Sequence, residues 1–401
     1  MADRPIPIYR LIALPVIFAA IIFLETQRPF GFFRAFSFLL LFFLLVDLVT
    51  LVRGRLRDFL LMSASVVLGL TAVEAISGLS APEPQVLIDN GYNAVRPVLG
   101  WGPQRPGRFH AHKADPQTGK TIYDVTYTID QNLLRETMSC ARCKTFAFFG
   151  DSFTFGEGLN DADTLPQAFA DAFDRKVRVL NLGFSGYGPQ QFLREMQTGL
   201  FDKIIGPQPQ LFVFLTAAWH AQRSACKASW VLYAPRYVLE NGTPIYKGPC
   251  AQGPTLWLRQ WVEHSALYRR FVEPLLERVT HADIELYIRE LNEATRIAKE
   301  KYNVPLLIPY IRTPGYLRST GFTDDEIIKH LKDGGALVID VSLAQEEAQG
   351  LPIIIPNENH PTGLANRLRA AILKSYIAGN LPAISAPISS DKDSDSKSGY
   401  P

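Results

Sequence analysis

The chain has 401 residues, 20% of them charged, and a formal net charge of +2. That length gives ample core for one large domain or two ordinary ones, and a charge so near neutral excludes the basic footprint of a nucleic-acid-binding protein. A mean hydropathy of +0.03 is high for a chain this charged, so the apolar residues must be concentrated, and residues 1–80 hold them.

Three apolar stretches stand there: Leu11–Leu24, Arg34–Val52 and Phe59–Leu79. A membrane-crossing helix needs roughly 20 predominantly apolar residues. The second and third stretches meet that length, although Asp47 and Glu74 interrupt them; the first does so if Ile8 and Tyr9 join it. No small-residue cleavage site follows the first, which argues against a removed leader. A three-helix anchor over 1–80 is therefore expected. Arg53, Arg55 and Arg57 crowd the connection between the second and third stretches. Basic residues collect in cytoplasmic loops, so one further crossing puts everything after Leu79 outside. The expected location is a bacterial inner membrane, multi-pass, with the bulk of the chain periplasmic.

Residues 81–143 carry Pro82, Pro84, Pro97, Pro103 and Pro106 and read as a β-rich lead-in, in which the alternating run Thr121–Ile129 is strand-like. From Lys144 strands alternate with helical stretches, the pattern of a parallel α/β sheet. The predicted strands are Thr145–Phe149, Val177–Leu182, Gln210–Leu215, Val304–Ile308 and Ala336–Val341. Helices are predicted near Thr164–Asp174, Pro189–Leu200, Thr255–Val279 and Ala282–Tyr302, with a last one after His360. The α/β domain spans 144–383, with an insertion at about 219–253, and residues 384–401 have the composition of a disordered tail.

The four cysteines suit an oxidising compartment. The simplest pairing is Cys140–Cys143 with Cys226–Cys250, but four cysteines allow three connectivities, and a four-thiolate zinc site is the rival.

The run Phe148-Phe149-Gly150-Asp151-Ser152-Phe153-Thr154-Phe155-Gly156 places a serine between a buried strand and a helix. That position projects from the carboxyl edge of the sheet, where ligands of α/β folds collect. Asn181-Leu182-Gly183-Phe184-Ser185-Gly186 follows the second strand, and Asn357-Glu358-Asn359-His360-Pro361 precedes the last helix. In content and order these three blocks resemble the SGNH/GDSL hydrolase family. The resemblance implies a flavodoxin-like, three-layer parallel sheet and an acyl-serine mechanism without metal or organic cofactor. Ser152 is then the nucleophile, His360 its base, and the N–H groups of Ser152 and Gly183 the oxyanion donors. It also implies esters of glycans or lipids as substrates. Hydrolysis and O-acyl transfer to envelope or exported polysaccharide both remain open, as does a degenerate scaffold; protein partners are not legible.

Two departures from the family pattern stand out. The family's side-chain oxyanion donor, an Asn after the third strand, is missing from Leu215-Thr216-Ala217-Ala218-Trp219-His220. Such a donor contributes about 3 kcal/mol to the transition state, and His220 is the nearest polar substitute. The family's acid, three residues before the histidine, falls on Asn357. Spacing favours Asn357 and charge favours Glu358; Asn357 is the expected occupant of the slot, with Glu358 pointing elsewhere. His220 and Arg223, three apart, share a helical face and are candidate substrate contacts. Trp219, Trp230, Tyr233 and Tyr237 are either a platform for sugar rings or a packed insertion core. His110 and His112 are poor candidates for a metal.

Overall fold

The computed structural model describes residues 8–27, 31–79, 86–313 and 315–382; the tail expected at 384–401 lies outside them. Three helices open the chain: α1 (Ile8–Thr26), α2 (Phe32–Val49) and α3 (Arg55–Gly78). Among the described residues, Phe32–Val49 and Arg55–Gly78 are long and apolar enough to cross a membrane, whereas Ile12–Thr26 is a shorter apolar helix. Two of the three expected spans thus pass on length and composition among the described residues. Large apolar side chains such as Phe33, Phe43, Met62 and Val66 face outward from α2 and α3, as a lipid-facing surface requires.

The lead-in is built of five short strands: β1 (Val86–Ile88), β2 (Asn93–Arg96), β3 (Gly100–Pro103), β4 (Gly107–Ala114) and β5 (Thr121–Ile129). β4 pairs antiparallel with both β1 and β5, and β2 pairs with β3. The strand-like run Thr121–Ile129 is one strand over its whole length, and its alternation has a purpose. Tyr123, Val125, Tyr127 and Ile129 are buried, and they pack with Tyr92, Phe109, Phe155 and Phe184. The last two of those belong to the α/β unit, so the lead-in is packed onto that unit.

The parallel sheet comprises β6 (Thr145–Phe149), β7 (Arg178–Asn181), β8 (Pro209–Phe214) with its short continuation β9 (Thr216–Ala217), β10 (Leu306–Ile311) and β11 (Leu337–Asp340). All five predicted strands are present. Their spatial order is β11-β10-β8-β6-β7, with every neighbour parallel. β6 and β10 are buried on both faces and accordingly read as unbroken apolar runs. The helices that matter for the site are α4 (Ser152–Phe155), α5 (Leu165–Ala172), α6 (Pro189–Thr198), α7 (His220–Ser224), α8 (Gly253–Val262), α9 (His281–Tyr302) and α10 (Gly363–Asn380). Phe146, Phe148, Leu211 and Val213 face α5 and α10, and Ala147, Phe149, Phe212 and Phe214 face α6 and α9. Three layers result. Counted along the α/β unit, the strand order is 2-1-3-4-5, which reverses direction between β6 and β8. That reversal opens a crevice at the carboxyl ends of the strands, and Ser152 stands there.

The insertion carries an antiparallel hairpin, Pro235–Glu240 with Thr243–Pro249. The cysteines are joined as Cys140–Cys143 and Cys226–Cys250, so no thiolate is left for the zinc alternative. The long helix expected over Thr255–Val279 is broken: α8 ends at Val262, and a π-turn at Tyr268–Val272 leads into a short helix at Glu273–Leu276.

Candidate active site

Ser152 is set by its two predecessors. Gly150 has φ +148, and a Cβ there would lie 2.3 Å from Thr154 Oγ1, so only glycine lets the chain leave β6 at this angle. Asp151 then caps α4, its side chain accepting from Phe153 N at 2.9 Å. The Asp151 carboxylate is 1% exposed, and it also meets Arg223 Nη1 at 2.8 Å and His220 Nε2 at 3.0 Å. Burial alone would raise its pKa, but Arg223 and His220 hold it well below the usual carboxylate range.

His220 contacts Thr216 Oγ1 through Nδ1 at 2.8 Å, and that hydroxyl lies 3.1 Å from Tyr287 Oη. Burial and Arg223 lower the His220 pKa, which favours the neutral ring. One arrangement satisfies every group: Nε2–H donates to Asp151, and Nδ1 accepts from Thr216, whose oxygen accepts from Tyr287. His220 is 1% exposed, with both nitrogens committed. It therefore cannot contact substrate or stand in for the missing oxyanion donor, contrary to the sequence expectation. Arg223 behaves otherwise. Its Nη1 also donates to Tyr187 O at 2.5 Å, which ties the 183–188 loop to the Ser152 turn, and its side chain lines the cavity at Ser152.

His360 Nε2 lies 2.8 Å from Ser152 Oγ, and His360 Nδ1 lies 2.6 Å from Glu358 Oε1. The second carboxylate oxygen of Glu358 pairs with Lys113, contributed by β4. Burial works against the charge on Glu358, but hydrogen bonds from His360 and Lys113 bring its pKa down to about 2. Burial likewise opposes the His360 imidazolium, and Glu358, Glu157 and Asp151 outweigh it and raise the pKa.

Asn357 does not take the slot that its spacing suggested. It is exposed, has φ 59, and makes no side-chain hydrogen bond among the described residues. Asparagine tolerates that left-handed conformation. The turn it makes, closed by Glu358 N to Ile355 O at 3.0 Å and Ile355 N to His360 O at 2.9 Å, swings residue 358 beneath the imidazole.

Gly183 is also displaced from its expected place. Its N–H donates to Asn181 Oδ1 at 3.1 Å, and a Cβ there would strike Thr154 at 2.8 Å. It packs under the serine turn and does not line the cavity. Gly186, three residues on, does. Its φ of +82 and the indole of Trp230, 3.1 Å from a hypothetical Cβ, restrict the position to glycine. Among the described residues, no protein acceptor lies on the N–H of Ser152 or of Gly186.

The cavity at Ser152 measures about 700 Å³, and its walls include Asn93, Trp101, Glu157, Trp230 and Tyr233. The four aromatic candidates thus divide. Trp230 and Tyr233 face the cavity, whereas Tyr237 is buried in the core and Trp219 packs on Phe153. His110 and His112 flank Asp124 on the surface of the lead-in. Among the described residues, no group of three His, Cys, Asp or Glu side chains is disposed to hold a metal.

No family model matches the chain, and no curated protein matches it. Among solved structures it is similar to the family 3 carbohydrate esterase of Clostridium thermocellum (11% identity, 61% of this chain and 100% of that one, TM-score 0.36). It is similar also to the psychrotrophic esterase EstA from Pseudoalteromonas sp. (13%, 59% and 97%, TM-score 0.35). A third such structure is AlinE4, an esterase of the SGNH-hydrolase family (17%, 61% and 100%, TM-score 0.33). Likenesses this distant do not bear on function, and the chemistry of the site is read from its own geometry.

Proposed function

We propose that this chain is a membrane-anchored serine ester hydrolase or O-acyltransferase of SGNH type, acting outside the cytoplasm on acylated glycans through an acyl-serine intermediate. The observation that carries the proposal is the continuous relay from Ser152 Oγ through both nitrogens of His360 to Glu358. A serine hydroxyl is almost never ionised near neutral pH and needs such a base. As Ser152 Oγ bonds to the acyl carbon, its proton passes to His360 Nε2, and Glu358 stabilises the resulting imidazolium. The carbonyl oxygen becomes an oxyanion facing the N–H groups of Ser152 and Gly186. On collapse the alkoxide leaves with the proton from His360. Water or a sugar hydroxyl then repeats the sequence in reverse, which yields hydrolysis or transfer.

The flat rings of Trp101, Trp230 and Tyr233 with Asn93, Glu157 and Arg223 support a glycan in the cavity better than a lipid tail. A scaffold without chemistry has one feature in its favour: Ala217 and Ala218 stand where the family has its side-chain donor. It has no use for a closed Ser–His–Glu relay. The test is a fluorophosphonate probe on the full chain. Ser152 is expected to be labelled and His360→Ala to suppress labelling; an unlabelled wild-type protein would sink the enzyme reading.

The anchor makes its own prediction. A phosphatase reporter fused after Pro82 is expected to be active in a Gram-negative host, and one fused at Gly54 inactive. The opposite pattern would place the site in the cytoplasm.

A further inference from the structure

Two acidic residues and an arginine in the apolar helices have partners far along the chain. Glu74, on α3 and fully buried, accepts from Ser265 Oγ at 2.6 Å, Ala266 N at 2.7 Å and Leu267 N at 3.1 Å. Arg34, on α2 and 1% exposed, donates to Trp261 O at 2.8 Å and lies 4.4 Å over its ring. Glu25, on α1, accepts from Trp261 Nε1 at 2.8 Å and pairs with Arg34 at 3.5 Å. Residues 261–267 are thus fastened to all three helices. They hold the last turns of α1 and α3 and the first turn of α2, the ends remote from Arg53, Arg55 and Arg57.

On either side of this fastening, large apolar side chains face outward. Trp257 and Leu258 on α8 are 66% and 51% exposed; Phe271, Leu275 and Leu276 beyond it are 52%, 56% and 57% exposed. A groove of about 450 Å³ between α1 and α8, lined by Ile21, Ile22, Trp257 and Trp261 with Glu25 and His264 at its polar side, joins Trp257 to the apolar surface of α1. An apolar patch this extensive needs a cover. Its continuity with the anchor, and a tryptophan at the helix ends where indoles favour the membrane–water boundary, identify that cover as lipid. We infer that residues 253–276 form a collar embedded in the outer leaflet, its apolar face covered by the bilayer itself. The inference rests on the proposed membrane anchor. The collar also touches the site: Gln260 Nε2 donates to Tyr233 Oη at 2.9 Å, and Tyr233 is part of the cavity wall. The wall of the cavity at Tyr233 thus stands one hydrogen bond from the collar.

The experiment reconstitutes the full chain and its Trp257→Phe variant in phosphatidylcholine vesicles, with and without bromine on the acyl chains. The fluorescence difference between the two proteins isolates Trp257. Its emission is expected to be blue-shifted and mostly quenched by the brominated lipid. A red, unquenched Trp257 in protein that resists alkaline carbonate extraction would overturn the collar, assigning the patch to a protein partner while the anchor stands. Extraction by carbonate would instead remove the anchor itself, and the collar with it.

Discussion

Replacing Ser152 with alanine is expected to lower turnover of an activated ester by about 10⁶-fold, and Glu358→Gln by about 10⁴-fold, whereas Asn357→Asp leaves the rate essentially unchanged. Steady-state kinetics on the three variants give the comparison. The ordering follows from the contacts: Glu358 faces His360 Nδ1 at 2.6 Å, and Asn357 faces solvent. An amide at 358 can still orient the ring, but it supplies no charge to the imidazolium and leaves Lys113 without its partner. The pH profile adds a second readout. Activity needs neutral His360, so the rate rises with pH through the His360 pKa, which stands above its ordinary value. Glu358→Gln removes the principal raising interaction, and the acid limb of the profile is expected to move to lower pH as the maximum falls. A Glu358→Gln enzyme with wild-type rate and an unmoved acid limb would show that the carboxylate has no part in the chemistry.

The second large effect is on stability. Asp151→Asn leaves Arg223, 12% exposed, and the N–H of a fully buried His220 facing a neutral amide. Breaking a buried, hydrogen-bonded pair by removing one partner costs about 3–5 kcal/mol. Thermal unfolding of the full chain in detergent is expected to show the loss as an earlier transition. Wild-type stability should carry the matching pH signature. The folded pKa of Asp151 is depressed below its ordinary 3.8, so its contribution is complete above that value and fades as pH falls toward the folded one. Between neutrality and pH 5 the contribution is therefore constant. An unchanged unfolding transition in Asp151→Asn would mean that the turn is held by Gly150 and the α4 backbone alone.

The sheet was legible because β6, β8 and β10 are buried on both faces and so leave runs such as Thr-Phe-Ala-Phe-Phe in the sequence. Ser152 and His360 were legible for a related reason: a strand end and a helix start fix where a side chain can point. The third member was not, because spacing along the chain says nothing about the left-handed turn at Asn357 that brings residue 358 under the ring. Gly183 and Gly186 share one short run, and it takes the fold, with the Gly183 N–H donated to Asn181 Oδ1 and the Gly183 Cα against Thr154, to separate the packing glycine from the one at the cavity. Lys113 left no trace, being 245 residues from Glu358 in a segment whose prolines resemble those of a linker. Glu74 read as a blemish in an apolar helix, since nothing local announces a partner at Ser265.

Because Lys113 and the aromatic layer of Tyr92, Phe109 and Tyr127 come from the lead-in, the α/β unit has no clean amino-terminal boundary at Lys144. A fragment cut there would lose the ammonium that neutralises Glu358 and expose the rings of Phe155 and Phe184. The smallest self-sufficient piece that contains the α/β unit therefore begins at or before β1, and evolution could recombine that unit only by moving its β-rich preface along with it.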